Sequence, residues 1–307
     1  MRIGIMGSGG LGGYFGARLA AGGADVHFIA RGKHLDAMRR DGLRIEGPQP
    51  LHVPRVQATN EPAEVGPVDF LLLGVKLWDT EQAIAQMRPM VGPQTTVISF
   101  QNGVLKDDYL RAAFATRQLM GGVGYVATTI EEPGVIRQTG PMQRLIFGEF
   151  DGTRSERGQA LLAACLAGGI QAELSSNILR EIWQKYVFLV GLSGTTTSMR
   201  NTIGPIRANP QTRAFLSDVM AEVIAVGRAH GVDLPDDQLR ISMERADTVS
   251  PEMTSSMHHD LQRGNPLEVR WLSGGVVELG RAKGVATPCN RAIADILALH
   301  AAGEPRG

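Results

Sequence analysis

One lysine stands where the chain otherwise turns apolar. In "EIWQKYVFLVGLSG", residues 181–194, Lys185 heads a run, residues 186–192, that carries no charge at all. Two chemistries suit such a residue. The stem can pack on a core while the ammonium reaches water. Alternatively, the ammonium can be held against a ketone oxygen that gains negative charge as hydride reaches its carbon, stabilising the charge and delivering a proton. Lysine starts near a pKa of about 10.4 and so holds that proton at neutral pH; burial makes it a stronger acid. The choice depends on whether the chain binds a hydride source.

The N-terminus supplies the pattern for one. "IGIMGSGGLGGYFGARLA" sets Gly7, Gly9 and Gly12 in G-x-G-x-x-G spacing after an apolar strand and at the opening of a helix. Gly7 permits the tight turn, Gly9 lets backbone approach a pyrophosphate, and Gly12 lets helix and strand pack closely. Ser8, Gly10 and Leu11 complete the loop, and the phosphates sit at the positive end of the helix. An NAD site places Asp or Glu about 20 residues further on, for the ribose 2′-hydroxyl. Here "FIARGKH" offers Arg31, then Lys33 and His34, with no carboxylate before Asp36. A cation at that place suits a 2′-phosphate, so the expected cofactor is NADPH/NADP.

Two more loops follow strands. "LLLGVKLWD" carries Lys76 and "VISFQNGV" carries Asn102. Alone, Lys76 reads as a surface lysine and Asn102 as a turn former ahead of Gly103. Both nevertheless fall at the carboxyl edge of the sheet, where such folds bind ligands.

The elements that must position these residues follow from periodicity. Residues 2–6, 25–30, 69–75, 95–100 and 120–128 read as strands; 11–23, 33–42, 79–90 and 103–115 read as helices between them. Alternating strands and helices imply a parallel sheet. The runs 135–140 and 143–150, separated by Pro-Met, read as an appended hairpin. After about residue 172 the pattern becomes helical, with long helices over 176–199, 212–231 and 265–284. The expected fold is therefore α/β: a Rossmann-type dinucleotide-binding domain over residues 1–172, followed by an all-α domain over 173–307. The final "AAGEPRG" reads as frayed.

Composition narrows the partners. Lysine plus arginine equals aspartate plus glutamate at 31 each, with 43% hydrophobic residues and 20% charged. That balance excludes the basic stripe of a nucleic-acid or acidic-membrane binder. Cys165 and Cys289 form no framework or metal spacing and read as reduced thiols. The N-terminus does not read as a signal peptide, and no stretch approaches the length of a membrane span. The expectation is a cytoplasmic protein without metal, acting on a small molecule. The apolar helical faces suit either packing within one chain or a homodimer.

The chain resembles the ketopantoate reductase (2-dehydropantoate 2-reductase) family over nearly its whole length. The resemblance rests on "GSGGLG", Arg31, "VK" at 75–76, "QNG" at 101–103, "IWQK" at 182–185, "SSM" at 255–257 and "NPLEV" at 265–269. It implies NADPH-dependent reduction of a 2-keto acid between a Rossmann and a helical domain, in the family a step of pantothenate biosynthesis. It also implies Lys185 as proton donor, with Ser256 and the acidic Glu268 near the substrate. Asn102 then lies beside nicotinamide and substrate, and Lys76 contacts the cofactor.

The chain departs from the family at its substrate asparagines. Four and eight residues after the lysine stand Leu189 and Ser193, and Ile203 takes the place of a third asparagine. Leu189 shares a helical face with Lys185, so an apolar contact replaces an amide pair and specificity should relax or redirect. Three outcomes stay open: a keto-acid reductase, a reductase of a bulkier apolar ketone, and a non-catalytic NADPH sensor. Local readings compete with the implied roles. "NPLE" is also a capping box with Glu268 at its third position, and Ser256 can cap a short helix from Met257. His258 and His259 read as a solvated surface, Trp183 and Trp271 as packing residues.

Overall fold

The protein is described here by a computed structural model covering residues 1–304. In chain order, the first part contains β1 (Arg2–Met6), α1 (Gly10–Ala21), β2 (Asp25–Ile29), α2 (Gly32–Asp41), β3 (Leu43–Glu46), β4 (Leu51–Val53) and β5 (Gln57–Thr59). Then come α3 (Pro62–Val65), β6 (Phe70–Leu73), α4 (Thr80–Met87), β7 (Thr96–Ser99), α5 (Lys106–Ala113), β8 (Leu119–Glu132), β9 (Val135–Gly148), α6 (Glu156–Ala167) and β10 (Gln171–Leu174). The rest is helical: α7 (Ile178–Ser198), α8 (Ile203–Ala208), α9 (Pro210–Ala229), α10 (Gln238–Thr248), α11 (Ser256–Gln262), α12 (Ser273–Lys283) and α13 (Pro288–Leu297). An α/β part followed by an all-α part is the class expected from the sequence.

Two compact units divide the chain. One holds Met1–Asn102 and Lys106–Glu181; the other holds Gly103–Leu105 and the chain from Ile182 onward. In the first unit β5-β2-β1-β6-β7-β8 run parallel, with β9 antiparallel to β8 and parallel to β3 and β10. Alternation along β1 explains the two cores. Ile3 and Ile5 join Phe15, Phe28 and Leu72 on one face, while Met6 joins Leu71, Leu73 and Met87 on the other. Strand order reverses between β1 and β6. In open parallel sheets such a reversal point, at the carboxyl ends of the strands, is where ligands bind.

In the second unit, α7 is the hub. Trp183, Tyr186, Val187, Val190 and Leu192 are buried, and residues 190–197 are buried without a break. A helix hidden on nearly every side needs small residues where neighbours approach. A Cβ on Gly191 would stand 2.5 Å from Met220 of α9, and one on Gly194 2.8 Å from Ile293 of α13. Buried hydroxyls in the last turns bond back to the helix: Thr195 to Gly191 O at 2.7 Å and Thr196 to Leu192 O at 2.6 Å.

Four sequence expectations change. The hairpin turn is not at Pro141–Met142 but at Pro133 and Gly134, between β8 and β9. Val126 pairs with Gln143 and Thr128 with Gln138, so residues 139–142 bulge from one continuous strand. A proline that lacks an N–H fits a bulge, where no ladder bond is required. The span 265–284 is not one helix: a 3₁₀ turn, Glu268–Arg270, precedes α12. The short strands β3, β4, β5 and β10 and the helix α6 lacked a strong enough pattern to be read. Finally, Ala301 and Glu304 are tied down by bonds to Leu267 and Gly264, while residues 305–307 of the expected frayed tail lie outside the described residues. Among the described residues, no helix is long and apolar enough to cross a membrane, and no three His, Cys, Asp or Glu group as metal ligands. Cys165 and Cys289 are both free.

Candidate active site

The glycine loop leaves β1 at the reversal point. Gly7 has φ +96°, and a Cβ there would lie 2.5 Å from Val75. Gly12 is pressed harder: its Cβ would fall 2.1 Å from the carbonyl oxygen of Gly7. Gly10 faces Thr128 of β8, whose carbonyl oxygen would be 2.7 Å from an added Cβ. Gly9 differs, since a Cβ there meets nothing within 4 Å. Three glycines are thus required by protein contacts, and the fourth borders open space.

That space is chemically suited to a pyrophosphate. Gly9 is the N-cap of α1, provides no side-chain cap, and no acidic residue occupies the first turn. A helix start left in this state offers unsatisfied N–H groups and a partial positive charge to an anion. The residues therefore fit a dinucleotide: Gly9, Gly10 and Leu11 would hold its phosphates.

The loop after β6 abuts the glycine loop through Val75, and Gln101 braces it. The Gln101 amide, 6% exposed, donates to Val75 O at 3.0 Å and to Thr80 Oγ1 at 2.8 Å, and accepts from Ser99 Oγ at 3.0 Å. This side chain locks the segment bearing Lys76 to the segment bearing Asn102. Its role was hidden in the sequence, where the eye stops at Asn-Gly. Lys76 is half-buried, its Nζ 5.3 Å from the ring centroid of Trp78. Asn102 is half-buried at the end of the first unit's segment. Just beyond, Lys106 and Asp107 form a fully buried pair at 2.9 Å. Burial pushes the Asp107 carboxyl up, and the Lys106 ammonium opposes that.

Arg31 is the N-cap of α2, beyond β2, with an exposed side chain that reaches Asp79 at 3.4 Å. An exposed pair at that distance is weak, so the guanidinium can turn to a phosphate. His34 does not join it as a cation. Its Nδ1 accepts from Gly134 N–H at 3.1 Å, which leaves the proton on Nε2, donated to Ser8 O at 3.0 Å. Burial lowers its pKa, with the Ser8 carbonyl opposing. Of the residues that follow Arg31 in "FIARGKH", Lys33 is exposed and His34 is engaged by the glycine loop.

The second unit carries the other expected residues. Lys185, Leu189 and Ser193 descend one stripe of α7, the first two half-buried and Ser193 1% exposed. Beside Lys185, the Tyr186 hydroxyl lies 3.0 Å and 2.7 Å from the carbonyl oxygens of Trp271 and Leu272. Tyr186 thereby ties α7 to the residues that follow the turn containing Glu268. Glu268 is 3% exposed and opens that 3₁₀ turn, with Leu267 as N-cap and no side-chain cap bond. The capping-box reading of "NPLE" is overturned, because no α-helix begins at Pro266.

Ser256 also moves from its expected place. The cap of α11 is Ser255, whose Oγ accepts from His258 N–H at 3.1 Å; Ser256 is the first helical residue and exposed. This element docks on α7 at a different level: His258 Nδ1 lies 2.8 Å from Thr196 O. His258 is therefore a buried strut, contrary to the solvated pair expected, while His259 is exposed. Trp183 and Tyr186 pack edge to face at 5.6 Å, as packing residues do. Thr196 lies eleven residues past Lys185, about 16 Å along the axis. Ser193 Oγ, Thr197 Oγ1 and Ser273 Oγ are buried without a hydrogen-bond partner among the described residues. Each such hydroxyl costs about 1–3 kcal/mol unless something else satisfies it.

Comparison with known proteins finds matches to both parts of the chain. Residues 3–152 match the model of "Ketopantoate reductase PanE/ApbA" and residues 177–301 that of its C-terminal part. A 2-dehydropantoate 2-reductase of Mesorhizobium japonicum is 32% identical, over 94% of this chain and 94% of that one. The crystal structure of a PanE/ApbA family ketopantoate reductase from Ralstonia eutropha JMP134 superposes with TM-score 0.89 and 33% identity, covering 98% of each chain. D-mandelate dehydrogenase, solved with NADH and anilino(oxo)acetate, shares the fold at TM-score 0.87 and 18% identity, over 98% of each chain. The chain belongs to the ketopantoate reductase PanE/ApbA family and is an oxidoreductase of the 2-dehydropantoate 2-reductase type, in a family that works with a nicotinamide cofactor.

Proposed function

We propose that the protein reduces a 2-keto acid to the 2-hydroxy acid with NADPH, Lys185 supplying the proton. The observation that carries this reading is the pairing of two features in one chain. The first is an acid-free phosphate cradle followed by Arg31. The second is the half-buried Lys185 on α7, in the same unit as the buried Glu268. The bound dinucleotide supplies the hydride. Arg31 and Lys33 select the 2′-phosphate, since no carboxylate stands there to bind a bare ribose. Lys185 hydrogen-bonds the ketone oxygen and gives up its proton as the alkoxide forms, and water restores it. Asn102 and Ser256 orient the substrate, and Glu268 keeps the ammonium charged before transfer.

Leu189 favours a second reading of the substrate. A leucine one turn from Lys185 meets an apolar group better than the hydroxyl of ketopantoate, so a keto acid with a bulkier apolar tail is the alternative. D-mandelate dehydrogenase, which shares the fold, is solved with anilino(oxo)acetate. Ser193, with its unpartnered hydroxyl, suits either a polar tail atom or an ordered water.

The experiment is a panel of 2-keto acids, ketopantoate among them, assayed for NADPH consumption. Turnover of ketopantoate above every other member supports a pantothenate role. A bulkier apolar keto acid in front assigns the substrate through Leu189. Silence across the panel by a chain that binds NADPH would replace catalysis with sensing.

A further inference from the structure

The β8–β9 hairpin is more than an edge of the sheet. Thr128 presses on Gly10, Ile136 on Gly13, and Gln138 accepts from the buried Tyr14 hydroxyl at 3.1 Å. Each contact bears on the start of α1. The hairpin tip reaches the glycine loop by a separate route, through His34. The imidazole links Gly134 N–H, at the turn, to the carbonyl of Ser8, in the loop, with hydrogen bonds of 3.1 Å and 3.0 Å. Ser8 is held from the other side as well. Its N–H donates to Ile29 O at 3.2 Å and its hydroxyl to the same oxygen at 3.0 Å. The peptide that follows Ser8 contains the N–H of Gly9, so fixing the Ser8 carbonyl fixes the direction of that donor.

We propose that His34, as a neutral imidazole, is a positioning residue for the cofactor: it pins the glycine loop to the hairpin tip and so aims the loop's N–H groups at the pyrophosphate. This role rests on the dinucleotide reading above. Only the neutral ring can accept from Gly134 while donating to Ser8; a second proton on Nδ1 sets two donors face to face and breaks the link. Most charged side chains on the elements around it are exposed, among them Arg31, Lys33 and Asp36 with α2, Arg44 on β3, and Glu131, Glu132 and Arg137 on the hairpin; the half-buried Glu46 on β3 is paired with Arg137 at 2.7 Å. Burial, with the Ser8 carbonyl opposing, governs the ring. Its folded pKa lies below the ordinary 6.5 of histidine, so the link is intact at neutral pH and is lost on acidification.

The test is NADPH binding by the full chain, wild type against His34→Ala and His34→Gln, followed from pH 8 to pH 5. At pH 8, His34→Ala should weaken NADPH about tenfold, with kcat at saturating NADPH nearly unchanged. His34→Gln, which keeps one donor and one acceptor, should recover much of that loss. On acidification, wild-type affinity should fall more steeply than that of His34→Gln. The 2′-phosphate also titrates near pH 6, so the ratio of the two profiles isolates the histidine. If His34→Ala does not fold, the His34→Gln profile still decides. Folded His34→Ala with wild-type affinity, or superimposable profiles for wild type and His34→Gln, would overturn the role. A wild-type chain that binds neither NADPH nor NADH would overturn the dinucleotide reading and this role with it.

Discussion

At the glycine loop the chemistry depends on atoms that are missing; on α7 it depends on individual side chains. Adding one carbon at Gly12 drives it to 2.1 Å from a backbone oxygen, so the cradle and the fold fail together. Along α7 the stripe from Lys185 through Leu189 to Ser193 can change residue by residue while the helix stays packed through Trp183, Tyr186, Val187 and Val190. The first region is therefore rigid in what it accepts, the second open to new specificity. Leu189 is half-buried and lies off the packed face, so an exchange there leaves those contacts untouched.

This contrast can be broken by substitution, and the largest effect belongs to α7. Lys185→Ala should fold and bind NADPH as the wild type does, yet turn over about 10²–10⁴-fold more slowly, the scale of a lost general acid. Steady-state kinetics beside a binding titration would show it, and wild-type turnover would remove the lysine from the mechanism. Gly12→Val tests the other side. It should abolish measurable NADPH binding and lower thermal stability at once, because helix and strand cannot separate without disturbing the core. A stable Gly12→Val that binds normally would show the loop to be more plastic than its contacts imply.

Arg31→Ala sharpens the comparison, since it removes charge from the first unit without touching backbone. NADPH affinity should fall about tenfold while NADH affinity stays the same, as expected for one exposed charge-assisted contact. Equal losses for both would mean that Arg31 does not read the 2′-phosphate.

Leu189→Asn should shift preference toward ketopantoate over bulkier apolar keto acids by about tenfold in the kcat/KM ratio. An unchanged ratio would place position 189 outside the substrate's reach. The smallest effect separates two neighbours. Ser255→Ala loses a helix cap and about 1 kcal/mol, a drop of about 2–4 °C in Tm, with kcat/KM retained. Ser256→Ala should do the reverse.

What the sequence made legible follows the same division. Gly7, Gly9 and Gly12 could be read because a turn, an open approach and a close packing each demand glycine at fixed spacing. Five of the parallel strands, β1, β2, β6, β7 and β8, were legible from nearly unbroken apolar runs, whereas β3, β4, β5 and β10 interleave exposed residues and carry no such run. Pro141 misled because a proline in a bulge looks like a proline in a turn. Glu268 and Ser256 misled for a different reason: cap motifs are local patterns, and tertiary contacts moved both helix starts. The Tyr186 hydroxyl draws the Glu268 turn onto α7, and Ser255, not its neighbour, takes the cap. The roles of Gln101 and His34 were invisible, since each joins segments far apart in the chain through hydrogen bonds that no spacing encodes.

The central claim is that a hydride passes from the nicotinamide to a ketone carbon. Its most direct test is turnover with NADPH deuterated at the transferable position, using whichever 2-keto acid the enzyme consumes fastest, followed by mass analysis of the product. Deuterium on the carbinol carbon of the 2-hydroxy acid, one atom per molecule, is the predicted result. A product without the label, or consumption of NADPH with no hydroxy acid formed, would contradict the account.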